Sequence, residues 1–487
     1  MQIYQIVILT LLVMFALLAI KVPVAVSLAG AGGLGLILLQ GFGYASNTLG
    51  AAPFTTSASF TLTIIPMFIL MGMLAVRANI AENVFAVANH FVRRAPGGLG
   101  VATVMACAGF AAVSGSSIGT AATMAKLSVD QMRAKGYPAS LATGIVAIAG
   151  TLGVMIPPST FLVLYAVLAG ESVSQMLAAG IIPGLLSALG YITYIMLVGQ
   201  RTIRREATGG DLSEAVDDAR AELREKRTSA GAGRAARAMS TDTTVRTAEP
   251  RTAAVKAATA PRSSLRALPW RGVAYIAILF TVVLGGMYSG IFTATESAAM
   301  GALAALVILV VENRRQGLRR ILRAFRISLL DTAETTAMVF FIVIGSAILS
   351  TFFVAAGVTR AISDWVGVLP FPPMVVMALL LLCLVPMGMF LESMSILVIT
   401  VPILYPVATE FGFDGIWLGI LIVKLIEIGM VTPPVGILTF VVSGTTGVKP
   451  ETVFRGVLPL VGIDFVTTTI LFLFPAITLF LPSLVAR

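Results

Sequence analysis

The chain has 487 residues, 57% of them hydrophobic and 11% charged, and a mean hydropathy of +0.97. Soluble domains carry roughly 25% charged residues, so this composition excludes an ordinary globular protein and defines a polytopic membrane protein. The formal net charge of +10 does not point to nucleic acid, because the basic residues gather in loops on one side of the membrane, as the positive-inside rule requires.

Residues 3–20 and 22–40 read as the first two spans, each long enough for a hydrocarbon core about 30 Å thick. The first is not a secretory signal: Met1-Gln-Ile-Tyr-Gln5 lacks a basic start, and the apolar run passes Lys21 and continues to Leu39. The uncharged stretch 41–58 reads as a loop and 59–77 as a span. Residues 78–96, with Arg93 and Arg94, read as an amphipathic helix lying in the interface. Between about 97 and 135, two short apolar arms flank Ser114-Gly-Ser-Ser117, the pattern of a re-entrant hairpin that enters and leaves on one side.

The next span, 139–170, carries Gly153-Val-Met-Ile-Pro157-Pro158 in its middle. Each proline lacks a donor and clashes with the preceding turn, so the helix breaks there. A break at bilayer depth survives only where protein or a polar cavity satisfies the freed backbone groups. A span at 174–198 closes the first half. From 200 to 270 the composition turns to Ala, Arg, Thr, Ser and Glu; Leu212–Lys226 reads as a short charged helix and 228–269 as a disordered tether.

The second half repeats the plan, with spans at 272–290, 294–311, 329–352, 415–445 and 457–484. A second hairpin at about 372–408 has Gly388-Met-Phe-Leu-Glu392-Ser393-Met-Ser395 at its tip, and 415–445 is broken at Gly429-Met-Val-Thr432-Pro433-Pro434. An offset of 276 pairs Cys107 with Cys383, Ser117 with Ser393, Gly153 with Gly429, and Pro157-Pro158 with Pro433-Pro434. One offset across both a hairpin and the following break marks an internal repeat. The expected organisation is therefore a first repeat at 1–199, a linker at 200–270 and a second repeat at 271–487. The fold class is all-α, with about five spans and one re-entrant hairpin per repeat.

Five crossings per half make the repeats inverted. With the linker cytoplasmic, 30 of the 33 Lys and Arg fall on the inner side, the exceptions being Arg360, Lys424 and Arg487, which places the amino terminus outside.

The chemistry is concentrated at the tips and breaks. Hard cations take several oxygen ligands, and broken helices supply free carbonyls. Half-helix amino termini at a tip favour an anion. Each half thus offers a cation site, and the space between the tips offers room for a carboxylate. The candidate anion-binding hydroxyls are Ser116, Ser117, Thr120, Ser393, Ser395 and Thr432. Against this stands the plainer reading that Gly-Ser stretches in membrane helices are packing faces; the coincidence of tip, break and repeat favours the site.

Other ionisable residues in apolar runs are weighed singly. Glu392 either binds a cation or fixes its tip by accepting backbone hydrogen bonds. Thr293-Ala-Thr-Glu296 has capping-box spacing, a structural role. Lys424 and Glu427, three apart on one helix face, form a neutralising pair. Asp331 and Glu334 sit near the start of a span, where the helix dipole favours them, and Asp464 has no evident partner. One histidine, His90, leaves no Ser-His or His-Glu-x-x-His constellation, so the chain is not expected to be an enzyme. Cys107 and Cys383 read as packed small residues, with no disulfide framework or zinc cluster.

Taken together, Ser114-Gly-Ser-Ser-Ile-Gly-Thr120, Gly150-Thr-Leu-Gly-Val-Met-Ile-Pro-Pro-Ser159, Thr293-Ala-Thr-Glu296 and Gly429-Met-Val-Thr-Pro-Pro-Val-Gly436 resemble the large membrane subunit of TRAP transporters, the DctM-like family. The likeness covers nearly the whole chain except the linker, which is longer than the family leads one to expect. It implies a tripartite ATP-independent periplasmic transporter of a bacterial inner membrane, importing an organic anion with sodium as the coupling ion and no organic cofactor. It implies an elevator, in which a transport domain carrying both hairpins slides against a scaffold. The implied partners are a small four-helix membrane subunit on a separate chain and a periplasmic solute-binding protein. Carried over by motif, one sodium site comprises Ser114, Ser116, Ser117, Gly150, Gly153 and Pro157. The other comprises Gly388, Glu392, Ser393, Gly429, Thr432 and Pro433. The alternatives are a stand-alone inverted-repeat anion permease that needs no binding protein, and a channel or structural membrane scaffold.

Overall fold

The computed structural model describes residues 2–199, 268–358, 361 and 371–485. Nearly all of the expected linker at 200–270, including its Leu212–Lys226 helix, lies outside the described residues. Among those described, every regular element is helical. In the first half, α1 (Ile3–Ala19), α2 (Val24–Gln40), α3 (Phe42–Ser57), α4 (Ile64–Arg77) and α5 (Ile80–Val92) precede the first hairpin. That hairpin is α6 (Gly98–Ser114), α7 (Ser117–Met124), a π-helical stretch over Ala125–Val129 and α8 (Asp130–Ala134). The broken span follows as α9 (Ala139–Gly150), α10 (Leu152–Met155) and α11 (Thr160–Ala169), and then α12 (Val173–Tyr194).

The second half opens with α13 (Trp270–Phe280), α14 (Gly286–Tyr288), α15 (Ala294–Asn313) and α16 (Leu318–Ala355). Its hairpin is α17 (Pro373–Leu382) and α18 (Leu384–Phe390) returning as α19 (Ser393–Glu410). Its broken span is α20 (Gly415–Val431) with α21 (Ile437–Thr446), and α22 (Pro450–Leu473) and α23 (Pro475–Val485) close the chain. Eight of the described helices are long and apolar enough to cross a membrane, nine if the pair Ala139–Met155 and Thr160–Ala169, bent by 45°, counts as one span.

The offset seen in the sequence extends to the element bounds. Helices begin at Ser117 and Ser393, at Ala139 and Gly415, and at Phe42 and Leu318; they end at Ala134 and Glu410, and at Met155 and Val431. Each of these pairs is 276 residues apart.

Small residues let the helices meet backbone to backbone, the usual means of association where lipid provides no hydrophobic drive. A Cβ on Gly32 of α2 would lie 2.9 Å from Leu349 Cα of α16, and one on Gly345 of α16 would lie 2.5 Å from the Ala25 carbonyl oxygen. Gly144 of α9 and Gly456 of α22 form a second seam, with Gly456 against the Ser140 carbonyl.

Four expectations need correction. The stretch 41–58 is not a loop but helix α3, whose Gly and Pro content masked it; it packs on α2 and α16. The span at 329–352 is the inner part of a 38-residue helix, so Asp331 and Glu334 lie well past its first turn, and Asp331 is held by Arg77 at 3.0 Å. The last span is interrupted at Phe474, before Pro475. The segment 78–96 is helical over Ile80–Val92, but its apolar face, Ile80, Val84, Phe85 and Ala88, is buried, and the helix packs on α6 and α13. Of the cysteines, Cys107 is buried as expected and Cys383 is exposed.

Candidate functional site

The first tip is built by a short, tight reversal. Helix α6 ends at Gly115, whose φ of +60° is the left-handed conformation that glycine adopts without a Cβ clash. Ser116 then caps α7, its Oγ accepting from the Gly119 amide at 3.2 Å. Ser114 Oγ and Thr120 Oγ1 share a hydrogen bond of 2.7 Å across the turn. The broken span lies directly against this tip. A Cβ on Gly150 would sit 3.3 Å from the Ser117 carbonyl oxygen, and one on Gly153 would strike the Ser116 carbonyl. Residues Thr151–Thr160, Pro157 included, are buried, and Thr160 Oγ1 donates to the Gly115 carbonyl at 3.1 Å, tying the far side of the break to the turn.

The second tip meets its break in the same way. A Cβ on Gly388 would lie 2.7 Å from the Ile426 carbonyl oxygen, and one on Gly429 would lie 2.5 Å from the Val385 carbonyl oxygen and 2.7 Å from Gly388 Cα. The Gly436 amide, past the break, donates to the Met389 carbonyl at 3.2 Å. Thr432 Oγ1 donates to the Ile428 carbonyl at 2.6 Å, and Thr432 and Pro433 are half-buried. Both Pro-Pro bonds, Pro157-Pro158 and Pro433-Pro434, are cis.

Glu392 takes the second of its two expected roles: it is the N-cap of α19, and its Oε2 accepts from the Ser395 amide at 3.2 Å and the Ser395 hydroxyl at 3.4 Å. Thr293 and Glu296 form the expected capping box, with Glu296 Oε2 accepting from the Thr293 amide at 2.8 Å and Thr293 Oγ1 accepting from the Glu296 amide at 3.3 Å.

Lys424 and Glu427 do not pair. Lys424 reaches across to Asp464 of α22 in a buried ion pair, and also donates to Ser187 Oγ of α12 at 2.8 Å. Asp464 thereby gains the partner that the sequence did not supply. Glu427 instead turns to the tips, where its Oε1 accepts from Ser117 Oγ at 3.4 Å and from Ser393 Oγ at 3.2 Å. The two serines at one offset in the two repeats therefore meet on a single carboxylate. Ser117 and Ser393 were legible as site candidates; their junction at Glu427 was not, because the i, i+3 spacing to Lys424 suggested a local pair. Thr160 was missed as well, and only its position just after the double proline would have flagged it.

The donors brought together at the tips are hydroxyls, backbone carbonyls and one carboxylate. This is oxygen chemistry suited to a hard cation, unlike the thiolate and imidazole sets that hold transition metals.

The described fold is that of solved membrane transporters. It matches the Alcanivorax borkumensis YdaH transporter over 91% of this chain and 90% of that one, with a TM-score of 0.57 at 14% identity. It matches Neisseria gonorrhoeae MtrF, of a class of antimetabolite efflux pumps, with a TM-score of 0.53 at 15% identity over 91% and 85% of the two chains. At such identities the likeness concerns the fold. Sequence carries the assignment further. Residues 11–477 match the family model of the tripartite ATP-independent periplasmic transporter, DctM component, and the chain belongs to that family. Among its relatives is the C4-dicarboxylate TRAP transporter large permease protein DctM of Pseudomonas aeruginosa, 32% identical over 434 residues and 88% of each chain. The sialic acid TRAP transporter large permease protein SiaM of Vibrio cholerae is 29% identical over 88% of this chain and 87% of its own. The 2,3-diketo-L-gulonate TRAP transporter large permease protein YiaN of Escherichia coli is 26% identical over 83% and 82%. The chain is thus a multi-pass membrane permease component and not an enzyme.

Proposed function

We propose that this chain is the large membrane subunit of a sodium-coupled, binding-protein-dependent importer of an organic anion in a bacterial inner membrane. The observation that carries the reading is the pair of hairpin tips, each seated at backbone contact on its own Pro-Pro helix break. In membranes such broken helices mark ion and substrate sites near the midplane. Ser114, Ser116, Ser117, Gly150, Gly153 and Pro157 supply one sodium site; Gly388, Glu392, Ser393, Gly429, Thr432 and Pro433 supply the other. The tips differ in charge. The first is capped by a neutral serine, whereas the second carries the Glu392 carboxylate on the leading amides of α19. A carboxylate already in place at a helix amino terminus repels a second one, so the anion lies toward the first tip, on Ser116, Ser117 and Thr120, with Ser393, Ser395 and Thr432 completing the far wall.

The solute is a carboxylate: the names of the relatives specify a C4-dicarboxylate, sialic acid and diketogulonate, all carboxylate-bearing. A periplasmic binding protein delivers it, a small four-helix membrane subunit completes the complex, and both hairpins move together in an elevator stroke. The linker faces the cytoplasm and the amino terminus the periplasm, as the distribution of Lys and Arg requires.

The test is uptake of a panel of radiolabelled carboxylates into vesicles holding the reconstituted complex. Uptake is expected to require the binding protein and an inward sodium gradient, and to lose its sodium dependence when Ser117 and Ser393 are both replaced by Ala. Uptake by this chain without a binding protein identifies a stand-alone permease instead. Unaltered sodium dependence in the double variant refutes the ion-site assignment.

A further inference from the structure

The sodium sites named above each lie within one half, one tip against one break. Glu427 belongs to neither alone. It sits on α20 one turn before the second break, receives one hydroxyl from each tip, and is buried to 2% of its surface. Both hydroxyls converge on Oε1. Oε2 is fully buried and has no hydrogen-bond partner among the described residues.

The surrounding charges do not relieve it. Lys424, one turn away on the same helix, is committed to Asp464 and Ser187. The nearby carboxylates of Glu392 from α19 and Asp464 from α22 both act on Glu427 with like charge, and from α12 the uncharged Tyr191 faces it. An unpaired buried carboxylate is among the costliest arrangements a protein can hold, and two hydroxyl donors on one oxygen do not offset the loss of hydration at the other. A cation beside Oε2 removes that cost. It would also find the lone pairs of Ser117 Oγ and Ser393 Oγ within reach, since a serine hydroxyl accepts as well as donates.

We propose that Glu427 is a cation ligand and that it holds a further sodium ion between the two tips, together with the Ser117 and Ser393 hydroxyls. This deepens the sodium-coupled reading and rests on it. What it adds is a carboxylate-based site spanning both repeats, so that filling it fastens the two hairpins to each other and to α20. It also adds one coupling charge to each transport cycle.

The experiment is equilibrium binding of ²²Na⁺ to the purified full-length chain in lipid nanodiscs, with choline chloride replacing NaCl at constant ionic strength. Thermal unfolding in the two salts is recorded in parallel. Glu427→Gln keeps the shape and an acceptor for both serines but removes the charge. It is expected to bind one fewer sodium ion than the unsubstituted chain and to lose part of the sodium-induced rise in Tm. Glu427→Asp is expected to keep the full stoichiometry with weakened affinity, and it decides the matter if the Gln variant aggregates. Unchanged sodium stoichiometry and affinity in Glu427→Gln overturn the proposal, as does unchanged affinity in Glu427→Asp. If the Gln variant binds as many sodium ions but no longer takes up a proton, seen with a pH indicator, the occupant is a proton and the proposal falls. An unsubstituted chain that binds no sodium above the choline background refutes the sodium-coupled reading itself, an outcome distinct from the others.

Discussion

The seating of the second tip on its break can be tested with a single methyl group. In Gly429→Ala the new Cβ would fall 2.5 Å from the Val385 carbonyl oxygen and 2.7 Å from Gly388 Cα. Both obstacles are backbone, so no side chain can swing aside, and restoring ordinary contact requires the tip and the break to separate by about 0.7 Å. Overpacking of this kind costs about 1–3 kcal/mol, small enough for a large membrane protein to remain folded. Its functional effect is larger, because a displacement approaching 1 Å in a positioned site costs roughly a hundredfold. The control is Gly444→Ala on α21, where an added Cβ meets nothing within 4 Å; it is expected to match the unsubstituted chain or exceed it in stability by about 0.5–1 kcal/mol. The assay is solute uptake in reconstituted vesicles alongside thermal unfolding in detergent. Gly429→Ala is expected to fold, with a lowered Tm, and to lose uptake about a hundredfold, while Gly444→Ala does neither. Full uptake and an unchanged Tm in Gly429→Ala would refute the backbone contact on which the site is built.

Two further predictions concern charges and caps. Removing one member of the buried Lys424–Asp464 pair, as in Lys424→Met, strands the other charge and is expected to cost about 3–5 kcal/mol in unfolding assays. The double variant Lys424→Met/Asp464→Leu should recover most of that loss; failure to recover any would mean that the pair does more than neutralise itself. Thr293→Ala removes half of the capping box at the start of α15 and is expected to destabilise by about 1 kcal/mol, read as a lowered Tm with the sodium response intact.

What the sequence revealed were violations of local rules. A double proline in an apolar run, a Ser-Gly tip between two short arms and a Thr-x-x-Glu box each break or obey a rule that acts over a few residues. The structure places all three where the spacing put them. What stayed hidden was tertiary choice. Lys424 had two carboxylates within reach: Glu427 one turn away and Asp464 forty positions along the chain. The i, i+3 geometry that favours the first is worth only about 0.2–0.5 kcal/mol on an isolated helix. Burial between α12, α20 and α22 reverses that preference, because Asp464 points at the ammonium while Glu427 faces the tips. No residue on α20 records which helix will lie against it.

The two halves also answer the same packing problem with different sequences, and proline decides how. Helices α3 and α4 begin and end within two residues of the positions that α16 occupies 276 residues later, yet the first half breaks between Ser57 and Ile64 where the second continues. Pro66 stands in the first turn of α4, where its missing amide is harmless; further inside a helix it would cost about 3 kcal/mol, so the new helix must begin just ahead of it. Leu318–Ala355 contains no proline, and its 38 residues rise about 57 Å, nearly twice the hydrocarbon thickness. The excess length lies at the start, where Arg319, Arg320, Arg323 and Arg326 would be intolerable in lipid but are at home among headgroups. The uninterrupted helix therefore joins the membrane surface to the seam with α2 as one rigid rod, and the broken one cannot. Equivalent places in the two repeats have been given unequal stiffness, with Gly32, Gly35 and Gly345 locking the stiff one in place.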